Sequence, residues 1–383
     1  MRLVFVSNFL NHHQVTLCEA LKKGCDKFYF VATDNVENIG FQKATDAEYV
    51  VKYYEQKEKE IAEKLILSAD VVIFGSCPNA LIEMRMNEDK LSFLFSERFF
   101  KKGTWRRFIP KTNKAVRDRI AKYSNKTMYV LCASAYLPYD LSFFAFPKNK
   151  CFKWGYFPAV KNYNIEELVN DKDAAMILWT ARFIDWKHPE IPVLIAEKLK
   201  KAGYHFKLNL IGKGVMESEI AEMIKNKNLE DCVSMLGAMK PEEVRRHMEK
   251  SQIFLFTSDF NEGWGAVLNE SMNSGCAVVA SHAIGSVPYL INDEKNGLIY
   301  KNGDIDDLYN KVKFLLDNPE RCKELGANAY KALTSTWNAE LAAERFLNLA
   351  TKLLNNEDVN ALYSDGPCSG GEVIRNNWRK RTE

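Results

Sequence analysis

The sequence predicts an α/β protein of two doubly wound, parallel-sheet units in tandem. Three observations carry this. A chain of 383 residues exceeds one ordinary domain. Short continuous runs of apolar and β-branched residues alternate with helical patterns, the signature of strands covered on both faces. The rhythm then occurs a second time, after a linker at 153–164 that carries Gly155 and Pro158.

In the first half, RLVFVS (2–7), FYFVA (28–32), DVVIFG (70–75), LSFLFS (91–96) and MYVLCA (128–133) read as strands, with the clearest helices at 14–23 and 55–68. In the second half the strands are AMILWT (175–180), FKLNLIG (206–212), QIFLFTS (252–258), CAVVASH (276–282) and GLIY (297–300). Helices fit 189–202, 215–227, 241–249, 265–274 and 304–316. The expected division is an amino-terminal domain at 1–157 and a carboxy-terminal domain at 158–334. A helix at 335–362 is expected to return to the first domain, followed by a loose polar tail at 363–383. In tandem doubly wound units, ligands are expected in a central cleft between the carboxyl ends of the strands.

The bulk properties exclude several classes. Apolar residues make up 46% of the chain, enough for two cores. A net charge of +3 does not describe a whole-molecule nucleic-acid binder, and no nucleic-acid motif is found. The nine cysteines include no C-x-x-C pair, and several lie inside apolar runs, so buried thiols in a reducing cytosol are expected. Met1 leads directly into a strand pattern too short for a signal segment, and no apolar run reaches the length that spans a bilayer. The expected location is cytoplasmic, at most peripheral on the inner face of the plasma membrane.

One segment carries most of the chemistry. SDFNEGWGAVLNESMNSG (258–275) follows a strand and enters a helix. Glycines let the backbone approach an anion closely, and a helix start offers unpaired N–H donors. Carboxylates are poor partners for a diphosphate, so Glu262 and Glu270 are expected to face sugar hydroxyls. Taken singly, a glycine-rich turn, an acidic pair or one arginine also fits a solvated surface.

The segment resembles the E-x7-E motif of family-4 retaining glycosyltransferases (group 1) of GT-B fold, with Glu262 and Glu270 at that spacing. ILWTARFIDWKHPE (177–190) is similar to the family's strand followed by Arg-x4-Lys, here Arg182 and Lys187. LNLIGKG (208–214) is similar to its strand ending in a Gly-x-Gly turn, here Gly212 and Gly214. The resemblance implies two Rossmann-like domains and a nucleotide-sugar donor, with UDP-sugar favoured. It implies that Arg182 and Lys187 neutralise the diphosphate, that backbone amides near Gly263, Trp264 and Gly265 add donors, that Glu262 holds sugar hydroxyls and that Glu270 holds the ribose. Two cations would then replace a metal, so neither a metal nor a resident cofactor is expected; the Asp-x-Asp strings at 171–173 and 304–306 lie in a linker and at a helix start.

The first half departs from the family. Where a Gly-Gly loop is common, SNFLNHHQ (7–14) places His12, His13 and Gln14 at a strand end, as ligand contacts or as caps of a helix starting near Gln14. Where a histidine is common, Ser96, Glu97 and Arg98 stand. Glu97 is read as a positioning group or local base, or as a structural partner of Arg98. Pro288-Tyr289 replaces the usual Pro-Glu, which makes sugar selection by family habit unsafe.

Residues 98–126 hold eleven Lys/Arg against Asp118, interleaved with Phe99, Phe100, Trp105, Phe108 and Ile109. That pattern suits an anionic membrane surface, or a solvated helix whose aromatics enter the core. The expected activity is retaining transfer of a hexose to a saccharide or lipid-linked acceptor in polysaccharide synthesis. The alternatives are a nucleotide-sugar epimerase of the same fold, or a non-catalytic sugar-nucleotide-binding protein.

Overall fold

Two seven- and six-stranded parallel sheets organise the chain, in a computed structural model that describes residues 1–35 and 47–379. Contacts divide it into a first unit of Met1–Ala159 with Thr336–Arg375, and a second of Val160–Ser335 with the residues from Asn376 onward.

The first unit runs β1 (Arg2–Ser7), α1 (His12–Gly24), β2 (Lys27–Ala32), β3 (Val50–Lys52), α2 (Gln56–Ser68), β4 (Val71–Phe74), α3 (Asn79–Asn87), β5 (Ser92–Ser96), α4 (Pro110–Arg119), β6 (Met128–Cys132), α5 (Leu137–Ser142) and β7 (Cys151–Lys153). The strand order is β3-β2-β1-β4-β5-β6-β7, every pair parallel. The order reverses between β1 and β4, where a doubly wound sheet opens a crevice at its carboxyl ends.

The second unit runs α6 (Ile165–Asn170), β8 (Asp173–Thr180), α7 (Glu190–Lys201), β9 (Lys207–Ile211), α8 (Glu217–Asn226), β10 (Val233–Gly237), α9 (Pro241–Lys250), β11 (Ser251–Phe256), α10 (Val267–Asn273), β12 (Ala277–Ser281), α11 (Val287–Leu290), β13 (Leu298–Tyr300), α12 (Ile305–Asp317) and α13 (Pro319–Ser335). Its order, β10-β9-β8-β11-β12-β13, repeats the same design with the reversal between β8 and β11. β4, β11 and β12 are buried at every position, which explains their unbroken apolar runs.

The carboxy-terminal helix is α14 (Ala339–Leu354), shorter than 335–362, and α13 before it went unread. The Asn338 side chain caps α14 by accepting the Leu341 N–H at 2.8 Å. α14 belongs to the first unit, where its buried Phe346 ring lies 5.0 Å from that of Phe93 and 5.8 Å from that of Trp154.

Two expectations need correction. The tail is not loose over its first part. Cys368 N–H donates to Lys153 O, Lys153 N–H to Ser369 O, and Gly371 N–H to Cys151 O, each at 2.8 Å. It pairs with β7, an edge strand whose backbone groups would otherwise face solvent. Further on, Arg379 pairs with Asp293 in the second unit. The helix after β1 starts at His12 and not near Gln14, because Asn11 is its cap: the Asn11 carboxamide oxygen accepts the His13 N–H at 3.0 Å.

All nine cysteines are free thiols, and only Cys25 and Cys77 are partly exposed. Among the described residues, no helix is long and apolar enough to cross a membrane.

Candidate active site

In the second unit, the loops after β8 and β11 leave the sheet on either side of its reversal point. The loop after β8 carries Arg182 and Lys187; the loop after β11 carries Glu262, Gly263, Trp264 and Gly265. Lys187 and Glu262 form an ion pair whose side chains are 12% and 11% exposed, so the pair is largely shielded from solvent screening. Ser258 Oγ also donates to Glu262, at 3.2 Å. Both cations lie over the Trp186 ring, Lys187 Nζ at 4.4 Å and the Arg182 guanidinium carbon at 5.8 Å from its centroid. Arg182 is exposed.

Further bonds tie the two loops together. Thr257 Oγ donates to Lys187 O at 2.7 Å, Trp179 Nε1 donates to that hydroxyl at 2.8 Å, and Asp259 N–H donates to Trp186 O at 3.1 Å. Beside them, the turn after β9 lies against the Arg182 segment. Phe183 N–H donates to Lys213 O, and Met216 N–H to Phe183 O. A Cβ on Gly212 would stand 1.9 Å from Ala181 O, and one on Gly214 would stand 2.2 Å from Phe183 O. Both glycines are therefore required by backbone approach next to Arg182.

Trp264 is fully buried, its indole N–H donating to Asn269 at 2.9 Å and its carbonyl accepting from Ser286 Oγ at 2.5 Å, so its side chain is a core group. α10 is just seven residues long, shorter than the 265–274 read from sequence, and leaves 263–265 outside the helix. Burial raises the pKa of Glu270, and the charge of Arg245 only partly offsets it. Among the described residues, no cluster of three or more His, Cys, Asp or Glu side chains is placed to hold a metal ion. Asp304 is used structurally, accepting the Asp307 N–H at the start of α12.

In the first unit, the equivalent reversal point opens a polar cavity of about 450 Å³. Ser7, Asn8, Asn11 and Gln14 line it from the end of β1 through the start of α1, Gly75, Ser76 and Cys77 from the loop after β4, and Ser96, Glu97 and Arg98 from the end of β5 and the loop after it. Gln14 is 5% exposed and its side-chain oxygen has no hydrogen-bond partner among the described residues, an arrangement that a donor from a ligand would relieve. His12 and His13 do not line the cavity; their ring centroids lie 3.7 Å apart, tilted by 44°, at the start of α1. Burial and then the neighbouring His12 lower the pKa of His13 to about 4, so it is neutral at pH 7.

Glu97 and Arg98 do not pair with each other. Arg98 forms an ion pair with Asp140 at 3.0 Å, both side chains fully buried, and Glu97 pairs with Lys101. Asp140 thus fixes Arg98 from α5 where it lines the cavity. Burial raises the Asp140 pKa despite that arginine. Sequence reading missed Asn8, Asn11 and the Gly75–Cys77 loop, although Gly75 directly after an apolar strand was a usable signal. It gave no hint of Arg119, which reaches back from α4 to donate to Cys77 O at 2.6 Å and Asn79 Oδ1 at 2.9 Å, holding that loop.

The family model for glycosyl transferases group 1 matches residues 160–332. A poly(ribitol-phosphate) alpha-N-acetylglucosaminyltransferase of Staphylococcus aureus is 28% identical over 191 residues, 50% of this chain and 36% of the relative. The amylovoran biosynthesis glycosyltransferase AmsK of Erwinia amylovora is 32% identical over 133 residues, 33% of this chain and 32% of the relative. The chain thus spans about a third of these two relatives' own length. Among solved structures, Anabaena HepE in complex with UDP superposes with a TM-score of 0.70 at 14% identity, covering 92% of this chain and all of the other. A variant of S. aureus TarM, solved with fondaparinux, alpha-GlcNAc-glycerol and UDP, has a TM-score of 0.58 at 22% identity, covering 73% and 55%. The chain therefore has two Rossmann-like domains of the GT-B kind and carries a glycosyl transferases group 1 domain at residues 160–332.

Proposed function

We propose that this protein is a retaining, metal-independent glycosyltransferase that moves a hexose from a nucleoside-diphosphate sugar, UDP-sugar favoured, to a saccharide or lipid-linked acceptor. The observation that carries the reading is the meeting of Arg182, Lys187 and Glu262 on two neighbouring strand-end loops at the reversal point of the second sheet. Two cations beside a hydroxyl-binding carboxylate suit a sugar diphosphate, and fixed charges aimed at a leaving phosphate lower the barrier without reorganisation. The names of the S. aureus relative and the UDP in the Anabaena complex point the same way. In this reading Glu262 holds donor hydroxyls, Glu270 the ribose, and the leaving phosphate oxygen takes the acceptor proton as the glycosidic bond breaks. The acceptor is assigned to the polar cavity of the first unit, with the Gln14 carboxamide oxygen accepting a hydrogen bond from one of its hydroxyls.

The test is nucleotide release from a panel of UDP- and GDP-sugars, with and without oligosaccharide acceptors and with EDTA throughout. Acceptor-dependent release of UDP with an α-linked product is expected. C2 epimerisation without release, or binding without turnover on any donor, would overturn the assignment.

The same reading places the enzyme at the cytoplasmic face of an anionic membrane. Trp105 and Phe108 are 59% and 74% exposed, and they lie three apart on the 3-10 turn Thr104–Phe108, where side chains at that spacing eclipse on one side. Lys102, Lys111 and Lys114 of the same stretch are also exposed, whereas Phe100 is buried in the core, so the basic stretch divides into a core part and a surface part. Each basic residue near an anionic bilayer contributes about 1 kcal/mol. Co-flotation with phosphatidylglycerol vesicles, weak on phosphatidylcholine and lost in a Trp105→Ser/Phe108→Ser variant, is the expected result. Equal flotation on both lipids, or retention by the variant, would remove the membrane from the account.

A further inference from the structure

We infer that His188, held between the carboxylates of Glu190 and Asp259, is the positioning residue that fixes the Lys187 turn against the Glu262 loop. The inference rests on the donor-site reading above and adds to it a residue that neither the motif nor the charge pattern singled out.

The geometry is specific. His188 follows Lys187 directly and closes the turn Asp185–Lys187, its own N–H donating to Asp185 O at 3.0 Å. Its backbone is left-handed, with φ +54°, a conformation uncommon outside glycine that must be held by surrounding contacts. Nδ1 lies 2.8 Å from Glu190 Oε1 at the start of α7, and Nε2 lies 3.7 Å from Asp259 Oδ2 in the loop after β11. One imidazole thus bridges the two elements that must keep a constant distance if Lys187 is to meet Glu262. Asp259 is itself an organiser of its loop: its carboxylate accepts the Asn261 N–H at 2.7 Å, and its carbonyl accepts the Glu262 N–H at 3.0 Å. A shift of Asp259 is therefore passed to Glu262 over three residues of hydrogen-bonded backbone.

The bridge works only when both ring nitrogens carry protons, since each faces a carboxylate. The groups that bear on it are few. Asp259 and Glu190 raise the His188 pKa from the ordinary 6.5 to about 9, against the opposing effect of burial. From β13 the Tyr300 phenol lies in the field of Glu190, and burial keeps it protonated. On its own turn, Lys187 is committed to Glu262, and Asp185 accepts the Trp186 N–H at 2.7 Å. Because the folded-state pKa lies above the unfolded one, the bridge is complete below pH 6.5 and is lost as pH rises through about 9.

The loss should appear in turnover more than in affinity. A displacement of a charged group by about 1 Å costs on the order of 100-fold in rate, because the leaving-group charge develops at a fixed place. A reduction in kcat of about 10- to 100-fold with little change in donor KM is expected for His188→Gln at pH 7.5. The wild type should lose kcat with an apparent pKa near 9, and that alkaline limb should be missing from His188→Gln. Asp259→Asn should move the limb towards lower pH, which a purely structural role would not do.

The experiment combines these profiles with an NMR titration of the histidine ring carbons in the full-length protein, assigned by the His188→Gln spectrum. The titration needs no activity, so it reads the bridge even if no donor is turned over. A His188 ring titrating near 9, shifted down in Asp259→Asn, supports the bridge. A ring titrating at 6.5 or below, or a His188→Gln enzyme with wild-type kcat and an unchanged alkaline limb, would overturn it. A wild type inactive on every donor, with the ring still titrating near 9, would sink the donor-site reading and leave the bridge standing.

Discussion

Lys187→Ala is expected to lower kcat by about 100- to 1,000-fold, the effect of removing one well-aimed charge donor from a developing anion. Lys187 sits on the short turn after β8, its amine steered by Glu262 and by the Trp186 ring. In the proposed reaction it offsets the charge that gathers on the leaving diphosphate, so its loss falls on the transition state more than on donor binding. The change has a second consequence. Glu262 is left largely buried with Ser258 Oγ as its remaining side-chain donor, and a buried carboxylate without its cation destabilises the fold. Lys187→Ala/Glu262→Gln separates the two effects. The thermal midpoint should recover in the double variant while kcat stays low. Recovery of both would show that Lys187 acts only by neutralising Glu262.

Arg85→Met is expected to destabilise the first unit by about 3–5 kcal/mol, as removal of one member of a buried charged network does. The Arg85 side chain is fully buried, and its guanidinium donates to five backbone carbonyls: Ile66 at 2.9 Å, Leu67 at 3.1 Å, Ala69 at 2.8 Å, Asp70 at 3.1 Å and Leu91 at 3.1 Å. The first two are terminal carbonyls of α2, which have no partner within the helix. The next two lead into β4 and the last into β5. One side chain thus replaces the solvent that these carbonyls would otherwise need, and methionine fills similar volume while leaving them unsatisfied. At about 2–4 °C per kcal/mol for a unit of this size, calorimetry should record a fall of roughly 6–20 °C in the midpoint. Arg85→Lys should fall between, since one ammonium has three protons for five acceptors. A loss below 1 kcal/mol would show that water enters and satisfies the site.

The sequence by itself determined the two parallel sheets, because strands buried on both faces must be written as unbroken apolar runs, as in VVIF of β4 and AVVAS of β12. It also singled out Arg182, Lys187, Glu262 and Glu270, through the resemblance of two local segments to the motifs of a known family. β3 and β7 escaped because VVK and CFK each end in a lysine and offer only two apolar residues in a row, whereas the equally short LIY of β13 is apolar and buried throughout; β3 and β7 are strands only because a neighbour supplies the hydrogen bonds. Tertiary structure alone decided the pairings. Arg98 meets Asp140 across 42 residues, Lys187 meets Glu262 across 75, and His188 meets Asp259 in that same second loop. It likewise laid the glycine-rich tail along β7, where composition suggested disorder. Secondary structure is set by neighbours in the chain and by which faces are buried, and both leave a trace in the order of residues. The partner of a charge or of an open strand edge is set by which loops the sheet order brings together, and that leaves none.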